Sequence, residues 1–364
     1  MRENSLMQSA KDAKNDEFYT QYSDIQKELN AYLEFNPDTF RDKTVLLPCD
    51  DPEWSNFTRF FAQNFETFGL KKLISTSYAA DKKKVQFQQL SMFEESSPQF
   101  DRTKTNSHGK IFVLERDTNR SGKIDINDLE WAYLDGDGDF RSDEVKKLRD
   151  ESDIIITNPP FSLFISFLSW IMEANKKFLI IGNINCITYK EVFPRIMRNE
   201  VWLGNGMGRW ISGFIVPESY PLYGTEARID EDGKRIVATN NCLWLTNLDH
   251  GRRHQKLSLM TMADNIKYSK HAIVREERYA KYENYDVIEV PFTDAIPSDY
   301  DGVMGVPITF LDKYNPEQFE LIGMAEDNGK GYSGEAAKWD GKNPHCAING
   351  KYKYKRIFIR RKQQ

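Results

Sequence analysis

A chain of 364 residues is longer than one hydrophobic core usually supports, so its length predicts about two domains. With 40% hydrophobic and 13% aromatic residues it can fill such cores, while a mean hydropathy of −0.64 excludes an integral membrane protein. The net charge of −5 hides a segregation along the chain: residues 351–364 carry seven Lys or Arg and no acidic residue. Removing their +7 from the total leaves −12 on the remaining residues.

The cysteines and the N-terminus predict a soluble protein of the cytoplasm that has no contact with a membrane. Residues 1–18 lack the apolar segment of a signal peptide. The cysteines are scattered without a CxxC pair, which argues against a disulfide framework or a zinc site and favours a reducing compartment. They are Cys49, Cys186, Cys242 and Cys346.

In chain order, apolar strand patterns alternate with helical ones. Strand patterns occur at residues 43–52, 71–79, 110–116, 152–160, 176–184, 201–206 and 242–248. Residues 16–33 predict a short extended piece followed by an amphipathic helix, and further helical patterns occur at 55–69, 161–175 and 188–199. Residues 81–110 are charged and weakly periodic and predict a helix and a loop. This alternation favours an α/β fold with a mainly parallel, doubly wound sheet.

Local signals set several boundaries. The helix at 55–69 has Ser55 or Asn56 near its start and Gly69 beyond its end. Past about residue 250 the alternation fades into turn-rich, aromatic sequence that ends in a hairpin at Asn349-Gly350. We therefore predict one domain over residues 1–250 and a smaller α+β region over 251–364.

The strand at 152–160 ends in Asn158-Pro159-Pro160-Phe161, a sequence suited to holding an amine. Two prolines make the loop rigid and leave its carbonyls as acceptors, because proline has no backbone N–H. The Asn158 oxygen and the Pro159 carbonyl can accept both hydrogens of one exocyclic amino group, while Phe161 stacks on the ring that carries it. An ordinary strand-terminating turn is the alternative interpretation.

A second short motif, Gly136-Asp137-Gly138-Asp139-Phe140, lies where a nucleoside-binding loop of the same sheet would come. Asp139 can accept a hydrogen bond from the amino group of a bound adenine, and Phe140 can cover its face. By itself this motif carries little information.

Several segments, in order along most of the chain, resemble the EcoRI-type adenine-specific DNA methyltransferase family. They are DEFYTQ, LPCDDPEWSNF, GDGDFRS, ITNPPFSLF, LWLTNLDHGRR, DYDGVMGVPITFLDKYNPEQFELIG and NGKYKYKRIFIRR. The resemblance implies a Rossmann-like class I methyltransferase fold and methyl transfer from S-adenosylmethionine to the 6-amino group of a flipped adenine in double-stranded DNA. A cognate restriction endonuclease that acts separately, or a phage-type modification system, is the context that it implies.

By this resemblance, the cofactor is bound by the loops at the strand ends. Its methionine end is expected against Phe18, Tyr19 and Thr20, and the adenine against Asp139 and Phe140. The loop after the first strand is expected to contribute Pro48, Cys49, Asp50, Asp51 and Ser55, and the catalytic motif is Asn158, Pro159, Pro160 and Phe161.

Two features depart from the usual pattern of such enzymes. The loop LPCDDPEWSNF contains no glycine, so another device must let the methionine end approach the backbone, with Asp50 or Asp51 as the acceptor for its ammonium group. The acidic residue expected after the second strand is also missing, since Ser77 and Tyr78 precede Asp81 there.

DNA contacts are expected after residue 250. The basic C-terminal segment offers Lys353, Lys355, Arg360 and Arg361, although a solvated strand would have a similar composition. In LDHGRRH, His250 and His254 are spaced for one helix face, but Arg252 and Arg253 between them favour a phosphate-contacting loop over a metal site.

Three other patterns leave alternatives open. Residues 117–128 nearly match a calcium loop, but position 12 is Asp128 and a strand precedes the loop, so an insertion hairpin is favoured. Cys49 follows Pro48 as in enzymes that methylate a cytosine ring carbon, which would not need the Asn158 motif. Trp210 and Phe214 are either core aromatics or part of the wall around an extruded base.

Two other functions compete with DNA adenine methylation. The same amine chemistry serves methylation of a protein glutamine amide or of RNA, and a DNA-binding module without activity could retain the fold. The basic, aromatic C-terminal segment favours nucleic acid, and the intact Asn158 and Asp139 motifs favour an active enzyme.

Overall fold

The computed structural model describes residues 19–50, 55–79, 100–101, 103–104, 107–207, 211–216, 222, 227–237, 241–326 and 335–362. Residues 16–18 at the start of the predicted extended piece and most of the helix and loop predicted at 81–110 lie outside these ranges. The chain divides into two compact units. The first lies within Met1–Ile184 and Gly204–Leu248, and the second within Asn185–Leu203 and Asp249–Gln364. Within the described ranges, no helix is long and apolar enough to cross a membrane.

The described strands are β1 (Tyr19–Thr20), β2 (Thr44–Leu47), β3 (Lys72–Ser77), β4 (Lys110–Leu114), β5 (Glu130–Tyr133), β6 (Ile154–Thr157), β7 (Lys177–Asn183), β8 (Trp202–Leu203), β9 (Phe214–Val216), β10 (Arg228–Ile229), β11 (Arg235–Val237), β12 (Cys242–Thr246), β13 (Ile288–Glu289), β14 (Met304–Pro307), β15 (Phe319–Met324), β16 (Ala347–Ile348), β17 (Lys351–Tyr352) and β18 (Arg356–Arg361). The α-helices are α1 (Tyr22–Phe35), α2 (Asn56–Gln63), α3 (Phe65–Phe68), α4 (Asp143–Glu151), α5 (Phe164–Glu173), α6 (Phe193–Met197), α7 (Met262–Tyr268) and α8 (Ala272–Glu277).

The strands of the main sheet in the first unit follow the order β5-β4-β3-β2-β6-β7-β12. β2 pairs in parallel with both β3 and β6, and β6 pairs in parallel with β7. β4, β5 and β12 run antiparallel to their neighbours. The prediction of a parallel sheet therefore holds for the four central strands. The outer strands differ because an antiparallel partner, such as β5 after β4, needs no helical crossover.

Burial on both faces explains the apolar sequences of the central strands. All residues of β2 and β6 are buried, as in parallel sheets that are covered on both faces. One face packs its aliphatic side chains against α1, α2 and α3 in a single core cluster. The opposite face meets α5 so closely that a Cβ on Gly182 would lie 2.5 Å from the Phe164 ring.

The predicted helix at 55–69 is present as two pieces, α2 and α3. Ser55 caps α2, since its hydroxyl accepts hydrogen bonds from the backbone N–H groups of Phe57 (3.1 Å) and Thr58 (3.5 Å). Gly69 ends α3 with φ of 62°. The break between them lies at Asn64, whose side chain donates to the Phe60 carbonyl at 2.8 Å.

A small antiparallel sheet completes the first unit, with the order β1-β9-β11-β10. Its first strand is the segment that the sequence predicts as extended. Tyr19 and Thr20 pair with Ile215 and Phe214.

The second unit is built around the four-stranded sheet β13-β14-β18-β15. The hairpin predicted at Asn349-Gly350 is confirmed, since β16 and β17 pair on either side of these two residues. Both have the left-handed φ angles, 50° and 69°, that a two-residue type I′ turn requires. This unit also includes Asn185–Leu203, a segment that the periodicity assigns to the strand–helix alternation. The helix predicted at 188–199 is reduced there to α6.

The loop at 117–128 closes on itself. One Asp128 oxygen accepts the backbone N–H groups of Thr118 (2.9 Å) and Asn119 (3.0 Å), and the other accepts that of Asp125 (3.0 Å). These bonds, above all the one from Asp125, lower the pKa of Asp128. In the described part of the chain, no three or more His, Cys, Asp or Glu side chains are grouped to hold a metal ion.

Added calcium is therefore expected to leave the melting temperature unchanged. Asp128→Ala should lower it, because three amides lose their acceptor. Since the pKa of Asp128 is depressed in the folded state, this contribution is present above its ordinary value of 3.8 and disappears as the pH falls through the lower folded value. Thermal melts at neutral and acidic pH, with and without calcium, measure both effects. A calcium-dependent rise in the wild type that Asp117→Ala with Asp125→Ala abolishes would contradict the expectation.

Candidate active site

The strand order creates a crevice at one edge of the main sheet. β2 and β6 are parallel neighbours, with Val45 opposite Ile154 and Leu46 opposite Ile155. The chain leaves β2 through α2 to reach β3 on one side, and leaves β6 through α5 to reach β7 on the other. The loops after β2 and β6 therefore diverge from the same edge, which is the usual ligand position in open α/β sheets.

The loop after β2 is held by side chains instead of a glycine turn. The backbone N–H of Asp50 donates to the Thr76 carbonyl at 3.0 Å, and the Ser75 hydroxyl donates to the Asp50 carbonyl. The Ser55 hydroxyl donates to Oδ1 of the buried Asp50 carboxylate at 2.7 Å. Pro48 before it is buried, and Cys49 is half-buried. These bonds fix a carboxylate at the strand end without any glycine.

The loop after β6 is rigid and turns directly into a helix. Asn158 and Pro160 are half-buried, and Pro159 is buried. The Pro160 carbonyl accepts the Leu163 N–H at 2.9 Å and starts the 3-10 turn Phe161–Leu163 that leads into α5. The predicted motif thus lies at the carboxyl end of a buried central strand.

An aromatic contact links this loop to the small sheet. The rings of Phe161 and Phe214 are 6.3 Å apart at an interplanar angle of 75°. Phe214 is fully buried and pairs with Thr20, whose carbonyl accepts the side-chain amide of Asn56 at 2.8 Å. The structure therefore brings Thr20, at the predicted methionine end, beside the aromatic wall of the predicted catalytic motif. Phe18, Asp51, Asp81 and Trp210 lie outside the described residues.

A buried carboxylate anchors the segment before Phe214. Asp24 accepts the Ser212 N–H at 2.7 Å and the Ser212 hydroxyl at 2.9 Å. The side chain of Gln21 donates to the same hydroxyl at 2.7 Å and to the Gly213 carbonyl at 3.0 Å. Burial raises the pKa of Asp24, and the bonds from Ser212 oppose this shift. The start of α1 and the segment at Phe214 are thus joined at one point.

The Asp139 loop lies against the end of β3. The Ala79 N–H donates to the Asp137 carbonyl at 2.7 Å, and a Cβ on Gly138 would lie 2.2 Å from the Ser77 carbonyl oxygen. Only glycine fits this approach, at a φ of 82°. Ser77, offered by the sequence at this strand end, accepts the Lys110 N–H at 3.2 Å, and Tyr78 is partly exposed.

Asp139 is held by a neighbour that the sequence did not single out. Arg141 donates from Nε to one carboxylate oxygen at 2.9 Å and from its terminal nitrogen to the other at 2.5 Å. These bonds lower the pKa of Asp139. The Phe140 ring is buried edge-to-face against Phe167 (5.0 Å) and Trp170 (5.6 Å). Stacking of Phe140 on an adenine therefore remains a prediction.

Two buried threonine hydroxyls at this edge of the sheet can form hydrogen bonds to a ligand. The strand pairing places Thr76 of β3 and Thr157 of β6 level with Pro48, one on each side of it. Both are fully buried, and neither hydroxyl has a hydrogen-bond partner among the described residues. A buried polar group is costly unless paired, so these positions, with the Asp50 and Asp139 carboxylates, suit a polar ligand.

The predicted DNA-binding residues lie in the second unit, and most of them make internal contacts. Arg252 donates to the Asp312 carboxylate at 2.7 Å, and Arg253 stacks 3.5 Å from the Trp202 ring centroid. His250 contacts the Leu203 carbonyl at 3.0 Å, and His254 contacts Asp249 at 2.8 Å, so the two histidines have separate partners.

The basic C-terminal residues also differ from a purely solvated segment. Lys353 pairs with Glu277 at 3.2 Å, and Arg361 donates to the Ser298 carbonyl. Arg360 stands opposite Glu320 on the neighbouring strand, and Lys355 is half-buried. Phosphate contact by these residues stays a prediction.

Sequence reasoning missed Asn56, Asp24 and Arg141 as residues that hold the site. Arg141 follows Asp139 by two positions, a local charge pair that could have been noticed. Asp24 and Ser212 are 188 residues apart, and Asn56 reaches Thr20 across 36 residues, so no local pattern marks either contact.

Comparisons of the sequence with known proteins find one matching family and three relatives. The family described as "Adenine-specific methyltransferase EcoRI" matches residues 6–362 of the chain. The Type II methyltransferase M.EcoRI of Escherichia coli is 47% identical over 360 residues, which cover 99% of this chain and 97% of that relative.

Two relatives from mycoplasmas are more distant. The Type II methyltransferases M.MgeORF184P of Mycoplasma genitalium and M.MpnI of Mycoplasma pneumoniae are 34% and 33% identical over 315 residues. Each alignment covers 86% of this chain, and 84% and 83% of the relatives. No solved structure matches the chain significantly.

The buried carboxylate of Asp24 predicts a pH-dependent stability. Because its pKa is raised in the folded protein, its contribution is fully present below the ordinary value of 3.8 and is lost as the pH rises through the folded value. Asparagine cannot ionise and can still accept the Ser212 N–H, so Asp24→Asn should gain stability relative to the wild type as the pH rises from 3.8 through the folded value. Urea unfolding across this range measures the difference. Asp143→Asn, at an exposed carboxylate of α4, is the control, and parallel curves for Asp24→Asn and the wild type would contradict the prediction.

Proposed function

The chain belongs to the EcoRI family of adenine-specific methyltransferases, and from this membership we propose that it methylates the exocyclic 6-amino group of adenine in double-stranded DNA, with S-adenosylmethionine as methyl donor. The observation that carries the proposal is the position of Asn158-Pro159-Pro160-Phe161 at the carboxyl end of β6, beside the loop after β2. A rigid acceptor loop at the switch point of the sheet is where an amine would meet a bound cofactor.

The fold that we assign is the Rossmann-like class I methyltransferase fold. The central strand order β3-β2-β6-β7, all parallel, and helices packed on both faces support this assignment. We assign the first unit to methyl transfer and the second to DNA recognition. A cytoplasmic location and a separately acting restriction endonuclease fit the bacterial Type II relatives.

The chain's own residues offer a fitting site for the cofactor. Asp50, held by Ser55, is expected to accept from the ammonium group of the methionine end, and the Asn56 side chain, next to Ser55 at the start of α2, donates to the Thr20 carbonyl. Asp139, oriented by Arg141, can accept from the adenine amino group. The Thr76 and Thr157 hydroxyls, one on each side of β2, provide further polar partners.

S-adenosylmethionine supplies an electrophilic methyl group when bound. Asn158 and the Pro159 carbonyl accept hydrogen bonds from the target amine and favour the tetrahedral nitrogen that attacks. An aromatic amine is a weak nucleophile because its lone pair is delocalised into the ring, so acceptors that fit the tetrahedral form stabilise the transition state more than the ground state. The proton leaves after methyl transfer, and no general base has to act first.

The target base must leave the helix, because its amino group is stacked and paired in duplex DNA. Phe161 is then positioned to cover the flipped adenine. Its own edge-to-face contact with Phe214 holds the ring at the mouth of the loop and limits its rotation.

Sequencing of genomic DNA from cells that express the protein, with detection of modified bases, tests the proposed function directly. The expected result is N6-methyladenine within one short sequence, absent from cells that express Asn158→Ala. Unmodified DNA, together with methylated protein or RNA in the same cells, would overturn it.

The cofactor site makes a separate prediction. Asp139→Ala should weaken S-adenosylmethionine binding about tenfold, the cost of one buried charged hydrogen bond. Asp135→Ala, at an exposed position of the same loop, is the matched control. Phe140→Ala is a poor test because it would leave a cavity beside Phe167 and Trp170, at a cost of about 3–5 kcal/mol. If calorimetric titration showed that Asp139→Ala binds S-adenosylmethionine with wild-type affinity, Asp139 would not be part of the cofactor site.

The catalytic motif predicts a graded series. Asn158→Ala should reduce single-turnover methyl transfer at least about a hundredfold with cofactor binding nearly unchanged, because the contact is made mainly in the transition state. Asn158→Asp retains an acceptor and should keep part of the activity. Phe161→Ala should instead weaken retention of the flipped base, read from the fluorescence of 2-aminopurine at the target position. Equal inactivity of the Asp and Ala variants with folding intact would show that hydrogen-bond acceptance is insufficient.

A further inference from the structure

Two tyrosines at the β16–β17 hairpin are conspicuously exposed. The side chains of Tyr352 and Tyr354 are 65% and 70% exposed, more than any other large hydrophobic side chain in the described ranges. They are two residues apart in a segment where exposure alternates, since Lys353 and Lys355 are half-buried. Both rings therefore face solvent on one side, and we call this pair the tyrosine rib.

The backbone beneath the rib is fixed by several hydrogen bonds. The Lys353 N–H donates to the Cys346 carbonyl at 2.8 Å, and the Gly350 N–H donates to Glu283 Oε1 at 2.9 Å. The side chain of Asn284 holds the same region, donating to the His345 carbonyl at 2.7 Å and accepting the Ala347 N–H at 3.3 Å. The exposure of the rings is thus not that of a loose chain end.

The Tyr354 carbonyl is tied into the core of the second unit. It accepts a hydrogen bond from Arg356 at 2.8 Å. Arg356 is itself buried and pairs with the buried Glu289 at 2.7 Å, which also accepts the Tyr282 hydroxyl. A rigid backbone that presents two rings to solvent loses little entropy when the rings bind a partner.

The charges around the rib indicate what that partner is. Residues 351–362 contain seven Lys or Arg and no acidic residue. Lys353 is engaged by Glu277, whereas Lys351 and Lys355 have no ion-pair partner within the described ranges. Two acidic side chains that contact the hairpin region have their own partners: Glu283 accepts a hydrogen bond from the Gly350 N–H, and Glu326 pairs with His345 at 2.9 Å.

We propose that the tyrosine rib is a contact surface for duplex DNA, with the two rings against sugars and base edges in a groove and Lys351 and Lys355 beside the phosphates. Lysine is depleted from interfaces between proteins, whereas aromatic rings flanked by cations are typical of surfaces that bind nucleic acid. The proposal rests on the proposed function, because it takes DNA as the substrate. It adds two uncharged contacts to the basic residues considered above.

The rings and the cations make different predictions for salt dependence. Tyr352→Ala and Tyr354→Ala should each weaken DNA binding about tenfold, because each variant loses the contact area of one aromatic ring. They should leave the slope of log affinity against log salt unchanged, since no cation is removed. Lys351→Ala with Lys355→Ala should flatten that slope. Tyr→Phe at both positions should restore affinity, because the ring is retained.

The experiment is fluorescence anisotropy with the full-length protein and a labelled duplex that carries the sequence methylated by the wild type. Tyr268→Ala is the matched control, since Tyr268 is 61% exposed beside Lys267 on α7 of the same unit. Circular dichroism checks that each variant is folded. If both Tyr→Ala variants bound the duplex with wild-type affinity, the proposed role of the tyrosine rib would be wrong. If the wild type did not methylate DNA, the proposed function would be wrong instead.

A partner other than DNA has its own signature. If the rib joins two copies of this chain, Tyr352→Ala should lower the molar mass in light scattering and leave the DNA affinity of each protomer unchanged, which would contradict the proposal. Protection of Tyr352 and Tyr354 from acetylation by N-acetylimidazole when the duplex is added would support it.

Discussion

The pairing of β2 with β6 is the constraint on which the active site depends. Both strands are buried along their whole length, so their register is set by the side chains that each face must bury. A slip of one residue would turn Thr157 to the opposite face and would displace Asn158 from the end of the sheet. The two loops that carry Asp50 and Asn158 are adjacent because these strands are adjacent, and they diverge because the crossovers leave in opposite directions.

In the loop after β2, hydrogen bonds hold the backbone in the position that a glycine turn fixes in many nucleotide-binding loops. The Ser55 hydroxyl holds the Asp50 carboxylate, and the Ser75 hydroxyl and the Thr76 backbone carbonyl hold the Asp50 backbone. Glycine is required instead beside the Ser77 carbonyl, where a Cβ on Gly138 or on Gly109 would lie 2.2 Å or 2.6 Å from the carbonyl oxygen. A loop held in this way places a charged acceptor with little freedom to move, which suits recognition of a cation.

Local signals predicted the features whose causes are local. The cap at Ser55, the end of a helix at Gly69, the hairpin at Asn349-Gly350 and the position of Asn158 after a buried strand are all confirmed in the structure. The antiparallel outer strands, the inclusion of Asn185–Leu203 in the second unit and the anchor of Asp24 on Ser212 could not be predicted. Periodicity shows that a segment has a buried face, but it does not show which core buries that face or which distant amide pairs with a carboxylate.

The same limit applies to charge. Counting cations predicts a strongly basic C-terminal surface, yet Lys353 pairs with Glu277 and Arg356 with Glu289, and Arg252 is held by Asp312. A Lys or Arg side chain that is already paired within the protein causes the release of few counterions when DNA binds, so it adds little to a salt-dependent affinity. Arg356 acts indirectly, because its pair with Glu289 and its hydrogen bond to the Tyr354 carbonyl hold the segment that carries this ring. The proposed DNA surface would therefore gain affinity from a few well-oriented rings and cations, and much less from the total charge that the sequence displays.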